Sequence, residues 1–301
     1  MSEVRVPDRR DPKQHSMVGW YDPAQLVRTG LAVAASTLFG RHADYRLMEA
    51  LVALIGHPYD EPQSSADKDF WIDYVADIGD GWNSTYDVAY EVAQPHLDVT
   101  APDGKDYRTE RGSVLIFGGD EVYPVAGRAQ YKERTVAPYE AALRTTEAPH
   151  PWVRAVPGNH DWYDSLVAFT RLFSTRPFFA GWQAQQAASY FAIKLPRGWW
   201  LLGTDIQLDS DIDQPQIEYF KDIATTKMLP GDRIILCNAE PHWIYAHIYG
   251  EGDPDYSENN LAFLEDKVLG KDKKVAVFLA GDLHHYRRHE GKDGTRRMPI
   301  G

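Results

Sequence analysis

The sequence predicts a mixed α/β protein, and three observations lead to that class. Short apolar runs of strand length recur along the chain, and several end in a small residue followed by a carboxylate, amide or imidazole group. Amphipathic segments of helical length lie between these runs, so strands and helices alternate. The chain has 301 residues and a 43% hydrophobic content, which is enough to bury a substantial core.

One stretch shows the pattern most clearly, V-R-A-V-P-G-N-H-D-W-Y, which begins at Val153. Its first four residues are mostly apolar and partly β-branched, as in a buried strand, and a Pro-Gly pair ends that strand. Asn159, His160 and Asp161 follow, and their side chains can bind a metal or move a proton. A parallel strand delivers such groups to the carboxyl edge of a sheet, where ligands bind in α/β folds. The competing interpretation is an ordinary turn, because turns are rich in Asn and Asp.

Four other strand-like runs end in the same way. They are Trp71–Ala76 before Asp77, Val114–Phe117 before Asp120, Ile234–Cys237 before Glu240 and His242, and Val275–Ala280 before Asp282 and His284. Chance turns rarely place such groups at the same end of five strands. If the strands share a sheet, we expect these side chains to converge on one edge.

The remaining elements follow from helix and turn signals. We expect an irregular arm and a helical hairpin over residues 1–65, and the main domain over residues 66–301. The first helix of the hairpin is predicted from about Asp22 to Phe39 and the second over Asp44–Ile55. Further helices are predicted over Tyr86–Gln94, Pro138–Thr146, Asp164–Phe173, Gln214–Ala224 and Asn259–Leu269. Two more strands are predicted over Ser189–Leu195 and Trp199–Thr204, a surface loop over Asp98–Arg111 and a linker over Phe178–Gln186.

The polar blocks at the strand ends resemble those of the calcineurin-like metallophosphoesterases. G-D-E-V-Y from Gly119 is similar to the family block G-D-x-x-Y/D, G-N-H-D from Gly158 matches G-N-H-D/E, and G-D-L-H from Gly281 resembles G-H-x-H. The blocks stand in the family's order between Trp71 and the C-terminus. The resemblance implies a four-layer α/β/β/α metallophosphoesterase-like sandwich, here with an N-terminal helical extension. In the family further strands follow the last block, so we expect this sequence to be truncated at the C-terminus.

The resemblance also implies a function, the metal-dependent hydrolysis of a phosphate mono- or diester of small-molecule type. The cofactors would be one or two divalent ions, Mn, Mg, Fe, Zn or Ca. The candidate metal ligands are Asp77, Asp120, Asn159, Glu240, His242, Asp282 and His284. Asp120 would bridge two ions, and metal-activated water would be the nucleophile. His160 would donate a proton to the leaving oxygen, and Asp161 would either orient a catalytic neighbour or cap the turn.

Three imidazoles of the family pattern are missing. Glycine stands at position 79 where the first block, D-x-H, has histidine, Asp282 replaces the first histidine of the last block, and Ala239 falls where a histidine precedes Pro241. Glu240 or His242 could supply the missing ligand, and Asp80 could compensate in the first block. An oxygen-rich site would favour Mn, Mg or Ca. The second hypothesis is therefore a non-catalytic interaction module with a degenerate metal site.

Composition excludes some partners. The formal charge is 32 − 44 = −12, so we expect no broad nucleic-acid binding. There is no apolar run of about 18 residues and no signal peptide, and the chain has one cysteine, Cys237, which favours a cytoplasmic protein without a membrane segment. The sequence does not predict the oligomeric state. Aromatic residues beyond the blocks suggest either a pocket for a flat group or ordinary core packing: Trp82, Tyr123, Trp162, Tyr163 and Trp243.

Overall fold

Two sheets packed face to face form the centre of the molecule. The computed structural model describes residues 13–39, 59–62, 69–184, 186–206, 211–250, 259–270 and 272–301. The first sheet has the strand order β1 (Ile72–Val75), β4 (Val114–Phe117), β5 (Trp152–Ala155), β7 (Trp182–Gln183) and β6 (Phe178–Phe179). The second has the order β12 (His289–Glu290), β13 (Arg296–Pro299), β11 (Lys274–Ala280), β10 (Arg233–Cys237), β9 (Trp199–Gly203) and β8 (Phe191–Leu195).

The five strands that end in polar blocks are divided between the two sheets. Strands β1, β4 and β5 are parallel neighbours in the first sheet, and β10 and β11 are parallel neighbours in the second. They do not share one sheet, but their carboxyl ends lie at the same end of the sandwich, where the Asp282 amide after β11 donates to the Asp77 carboxylate after β1 at 3.0 Å. The convergence expected from the sequence therefore occurs between two sheets.

Helices cover both outer faces of the sandwich. The first sheet is covered by α2 (Trp82–Ala93), α3 (residues 128–142) and α5 (Val167–Phe173), and the second by α6 (Gln214–Thr226) and α8 (residues 259–269). Two short helices lie at the strand ends, α4 (Asn159–Trp162) and α7 (His242–Tyr249). The predicted four-layer α/β/β/α sandwich is confirmed.

Strand β4 shows how the sequence sets these layers. Its four residues are all fully buried. Because successive side chains alternate between the faces of a strand, Leu115 and Phe117 pack against the helices and Val114 and Ile116 against the second sheet. Such a strand reads as a continuous apolar run, which is why its bounds could be predicted to the residue.

The N-terminal extension is described in part. Helix α1 (Pro23–Phe39) confirms the first predicted helix. The second predicted helix, over Asp44–Ile55, lies outside the described residues. In the part of the chain that the structure describes, no helix is both long and apolar enough to cross a bilayer.

Three predictions about the connections are wrong. The expected surface loop over Asp98–Arg111 is a hairpin of β2 (His96–Thr100) and β3 (Asp106–Glu110), held in part by a 2.7 Å contact between Arg108 and Asp98 across the strands. Both of its faces are mostly exposed, so it lacks the apolar alternation that identifies a strand. The expected linker over Phe178–Gln186 contains β6 and β7, and β12 and β13 follow β11, although the sequence analysis predicted no strand after Val275–Ala280.

Helix α3 begins ten residues before the predicted start at Pro138. Proline lacks an amide hydrogen and usually interrupts a helix. Here a π-helical turn over Tyr131–Val136 directly precedes the segment Ala137–Ala142, and the chain continues through Pro138. Such turns insert a residue into the hydrogen-bond ladder, and the irregular helix gives no regular sequence period.

Candidate metal centre

The loops after the strands hold four of the candidate ligands in an unusual backbone conformation. Asp77, Asp120, Asp282 and His284 have φ angles of 54°, 53°, 74° and 48°. The left-handed region costs an L-residue about 1–2 kcal/mol, and such conformations concentrate at functional sites. The loops support each other, because the Asp77 amide donates to the Gly119 carbonyl at 3.0 Å.

The hydroxyl group of Tyr123 lies at the centre of this cluster. Its oxygen is 3.2 Å from Asp77 Oδ1, 3.0 Å from Asp120 Oδ2 and 3.1 Å from His284 Nε2. His284 Nε2 is also 3.7 Å from Asp77 Oδ1. Four side chains from three loops, after β1, β4 and β11, therefore converge, and they connect the two sheets.

These separations suit ligands around a single cation. Two ligand atoms at about 2.1 Å from one ion and at right angles lie about 3 Å apart. The Tyr123 hydroxyl has only one proton and cannot donate to both carboxylates at once, while His284 Nε2 donates or accepts according to its tautomer. A cation among the four atoms would satisfy all of them.

The phenol oxygen is essential to this set. Among the described residues, no three His, Cys, Asp or Glu side chains by themselves are arranged to hold a metal ion. Asp77, Asp120 and His284 form a candidate site only together with Tyr123. The sequence analysis treated Tyr123 as an aromatic residue of a pocket and missed it as a ligand, although it is the last letter of the G-D-x-x-Y/D block.

Burial makes the oxygen ligands electrostatically unstable as anions. It raises the pKa of Asp77 to about 6, against the lowering effect of nearby His284. The pKa of Asp120 is raised well above its ordinary range, first by burial and then by the charges of Asp161 and Asp77. Burial and these carboxylates also raise the pKa of Tyr123. A bound cation would favour the ionised forms of all three groups.

Asn159 and His160 lie on the turn after β5 that packs against Asp120. The His160 amide donates to Asp120 Oδ1 at 3.0 Å. Asn159 Nδ2 lies 3.4 Å from the hydroxyl oxygen of Tyr163. Asn159 therefore lies on the turn that contacts Asp120, and its amide group faces Tyr163.

The imidazole of His160 is oriented by its surroundings. Nδ1 lies 2.7 Å from the Pro124 carbonyl oxygen, which can only accept, so Nδ1 carries a proton and Nε2 is the nitrogen that can meet a substrate. Burial lowers the pKa of His160, while the Pro124 carbonyl and Asp161 act in the opposite direction. The ring contacts Tyr123 and Tyr163, with centroids 4.5 and 4.9 Å away.

The structure assigns Asp161 to positioning rather than to direct catalysis. It is fully buried. Its Oδ2 accepts from the Gly158 amide at 2.9 Å and from the Glu121 amide at 3.3 Å, and its Oδ1 accepts from the hydroxyl of Tyr131. A carboxylate so enclosed cannot touch a substrate, and it holds together the loops that carry Asp120 and His160.

Two further predicted ligands, Asp282 and His242, have other contacts. Asp282 accepts a hydrogen bond from the hydroxyl of Tyr245, while its own amide donates to the Asp77 carboxylate at 3.0 Å. His242 Nε2 lies 3.0 Å from Glu265 Oε1, and its ring packs on Phe278. The structure thus places His242 at the start of helix α7, in contact with the α8 layer.

Ala239 faces the Asp120 loop. A Cβ atom built on Gly119 would lie 2.9 Å from Ala239 Cβ. The carbonyl of the neighbouring Glu240 accepts from Asn238 Nδ2 at 3.0 Å. A methyl group thus stands at the position where the family pattern has an imidazole.

The loss of the histidine at position 79 has a steric reason. Gly79 has a φ of 81°, and a Cβ atom there would lie 2.4 Å from the Glu121 carbonyl oxygen. No side chain can be accommodated without moving the backbone. Asp80 Oδ1 accepts a hydrogen bond from the Val18 amide at 2.9 Å.

The aromatic residues named in the sequence analysis divide into two groups. Trp82 stacks on Tyr86, Trp162 donates to Asp205, and Trp243 packs near Phe278. These three belong to packing layers. Tyr123 and Tyr163 flank His160, and they are joined by Trp20, which the sequence analysis missed and for which it offers no signal.

Comparison with known proteins gives a likeness in fold. No family model matches the sequence, and no curated protein matches it. Three similar solved structures are the GAP50 anchor in the inner membrane complex of Plasmodium (12% identity, TM-score 0.47, 76% of this chain and 70% of that chain), a dimetal phosphatase from Danio rerio (13%, 0.41, 77% and 87%) and the phosphopantetheinyl hydrolase PptH from Mycobacterium tuberculosis (13%, 0.38, 76% and 89%).

The fold and the site together define a class. The motif blocks stand in order on the strand ends of a four-layer sandwich, and they deliver polar side chains to one edge between its sheets. This is the four-layer α/β/β/α sandwich that the resemblance of the motif blocks implied.

Proposed function

We propose that this protein hydrolyses a phosphate mono- or diester at a metal centre held by Asp77, Asp120, Tyr123 and His284. The single observation that supports this most is the position of the Tyr123 oxygen, within 3.0–3.2 Å of the other three ligand atoms. When bound, a divalent ion supplies a Lewis acid that polarises the phosphoryl group and lowers the pKa of water. Three hard oxygen donors and one imidazole suit Mn, Mg or Fe.

The proposal is for one tightly held ion. The donors expected for a second ion are diverted or absent, since Asp282 accepts from Tyr245, His242 contacts Glu265 and Ala239 has no donor atom. Asn159 remains beside Asp120 and could contribute to a weaker second position.

His160 is the proposed proton donor to the leaving oxygen. The Pro124 carbonyl fixes the tautomer and the ring orientation, so that Nε2 is presented. Burial lowers the pKa of His160. A phosphate group with negative charge beside the ring would favour the imidazolium, which is the form that can donate.

The test is turnover by metal-loaded protein. Purified protein is stripped with a chelator, reloaded separately with Mn, Mg, Fe or Zn, and assayed with p-nitrophenyl phosphate and bis-p-nitrophenyl phosphate. We expect hydrolysis that requires metal, and its loss in Asp120→Asn and His160→Gln. Asp98→Asn, on the exposed hairpin, is the matched control and should retain activity. Absence of turnover with every metal would contradict the proposal.

A second candidate function is an interaction module with a degenerate site. The diverted side chains of Asp282 and His242 favour it, because they are the residues whose loss would disable a two-metal centre. Metal analysis separates the two proposals. Less than one tightly bound ion per chain, together with no turnover, would favour the module. We propose a cytoplasmic location with either function.

A further inference from the structure

Part of the N-terminal arm lies beside the candidate centre and is attached to the domain. We call residues 15–20 the strap. The His15 carbonyl accepts a hydrogen bond from the Trp82 amide at 2.9 Å, and the His15 ring lies 2.6 Å from Glu133 Oε2. These contacts connect the strap to the first residue of α2 and to the π-helical turn of α3.

The middle of the strap packs against the loop that follows β1. Val18 is buried, and its amide donates to Asp80 Oδ1 at 2.9 Å. Met17 lies against Gly81, where an added Cβ atom would be 2.9 Å from the Met17 side chain and 3.0 Å from its amide nitrogen. Gly81 is four residues after Asp77, so the strap packs against the same loop that carries a proposed ligand.

The strap ends in Trp20, which contacts two proposed functional residues. Its ring centroid is 5.7 Å from that of Tyr123 and 6.0 Å from that of His160, and both contacts are close to perpendicular. The Trp20 amide donates to the Val18 carbonyl at 3.0 Å, and the Asp22 amide donates to the Gly19 carbonyl at 2.8 Å. These tight turns hold the indole beside the site.

Trp20 differs from the other rings around His160 in its exposure. The Trp20 side chain is 37% exposed, whereas Tyr123 is 2% exposed. The leaving oxygen of a substrate takes its proton from His160, so the group attached to that oxygen must lie beside the rings that surround His160. An exposed indole at this place offers a flat apolar surface to an aromatic group.

We propose that Trp20 determines specificity, and that its indole forms the wall of the substrate pocket that receives an aromatic leaving alcohol. The expected substrate class is a phosphate ester whose leaving group contains an aromatic ring. This inference rests on the proposed function. The contact is with the leaving group and not with the phosphate, so it discriminates between esters that share the same reacting atoms.

The test measures binding rather than turnover. Phenylphosphonate and methylphosphonate are titrated into metal-loaded protein by isothermal calorimetry, because neither is hydrolysed and they differ only in the ring. We expect Trp20→Ala to weaken phenylphosphonate about tenfold and to leave methylphosphonate unchanged. Trp20→Phe should retain most of the preference. Tyr21→Ala is the matched control, because Tyr21 is adjacent and 97% exposed.

A second variant separates the indole surface from the anchoring of the strap. Met17→Ala removes a strap contact without touching His160 or Tyr123, and it should preserve the preference for phenylphosphonate. Equal binding of the two phosphonates by the wild-type protein, or equal weakening of both by Trp20→Ala, would overturn the inference while the proposed function stands. Failure of metal-loaded protein to bind either phosphonate would count against both.

Discussion

Gly158 lies directly against Asp120: a Cβ atom built on Gly158 would be 2.2 Å from Asp120 Oδ1 and 2.6 Å from its amide nitrogen. Neither atom can move away cheaply, because Oδ1 also accepts from the His160 amide. We therefore expect Gly158→Ala to displace Asp120 and to reduce metal affinity at least about tenfold. Metal binding measured by calorimetry checks this.

The control for this prediction is a glycine with open space. Gly30 lies inside α1, and a Cβ atom there would meet nothing within 4 Å. Gly30→Ala should leave metal affinity unchanged and stabilise the helix by about 0.5–1 kcal/mol. Equal metal affinity in the two variants would show that the contact of Gly158 with Asp120 does not matter.

Tyr123→Phe tests the phenol as a ligand. The substitution keeps the ring and removes the oxygen that contacts Asp77, Asp120 and His284, so we expect metal affinity to fall about a hundredfold or more. Metal content after dialysis against a weak chelator provides the measurement.

Tyr139→Phe is the matched control. The Tyr139 hydroxyl is buried, and among the described residues it has no hydrogen-bond partner. Its removal should preserve metal content and leave stability equal or slightly improved. If Tyr123→Phe retains the wild-type metal content, the phenol is not a ligand.

Asp161→Ala tests the positioning role. The variant leaves two amide donors, on Gly158 and Glu121, and the Tyr131 hydroxyl without their buried acceptor. We expect a loss of about 3 kcal/mol in the free energy of unfolding, measured with denaturant. A loss as small as that of Asp98→Ala on the exposed hairpin would contradict the role.

Asp164 gives a prediction about pH. Its Oδ2 accepts from the Ala168 amide at 3.1 Å, and burial raises the pKa of Asp164 from 3.8 to about 6. The native state therefore binds more protons than the unfolded state between these values, and the contribution of this group to stability falls as the pH rises from about 4 to 6. After allowance for partial exposure, the change is of order 1 kcal/mol.

Asp164→Asn removes this dependence. An asparagine cannot ionise and can still accept at the start of α5. We expect the variant to exceed the wild-type protein in unfolding free energy at pH 7.5 and to lose that advantage at pH 4. The same pH slope in both proteins would show that Asp164 does not titrate in this range.

The sequence predicted the layers because their strands are apolar on both faces. Val114–Phe117 could be read to the residue, and Trp199 onwards nearly so. The hairpin of residues 96–110 could not, because it is exposed on both faces and its pairing depends on cross-strand polar contacts such as Arg108 with Asp98. The local apolar pattern indicates which residues are buried, and few residues of this hairpin are buried.

The positions of the site side chains were harder to predict than the helices and strands. Asp77, Asp120 and His284 come together, as the strand ends implied, but their roles as ligands stay a prediction. His242 is an example. It follows Pro241, and the direction of its side chain depends on where helix α7 starts and which layer the helix contacts. Trp20 lies outside every motif, and only the course of the strap brings it to His160.

The Tyr123 oxygen and the three atoms around it come from both halves of the sandwich, from two loops of one sheet and one loop of the other. An ion bound there would cross-link the two sheets, so that separating them would require release of the ion. Loading would then raise the resistance of the whole sandwich to unfolding, by about 2.7 kcal/mol at a free metal concentration one hundred times the dissociation constant. The stability of the sandwich and the proposed catalysis would then depend on the same bound ion.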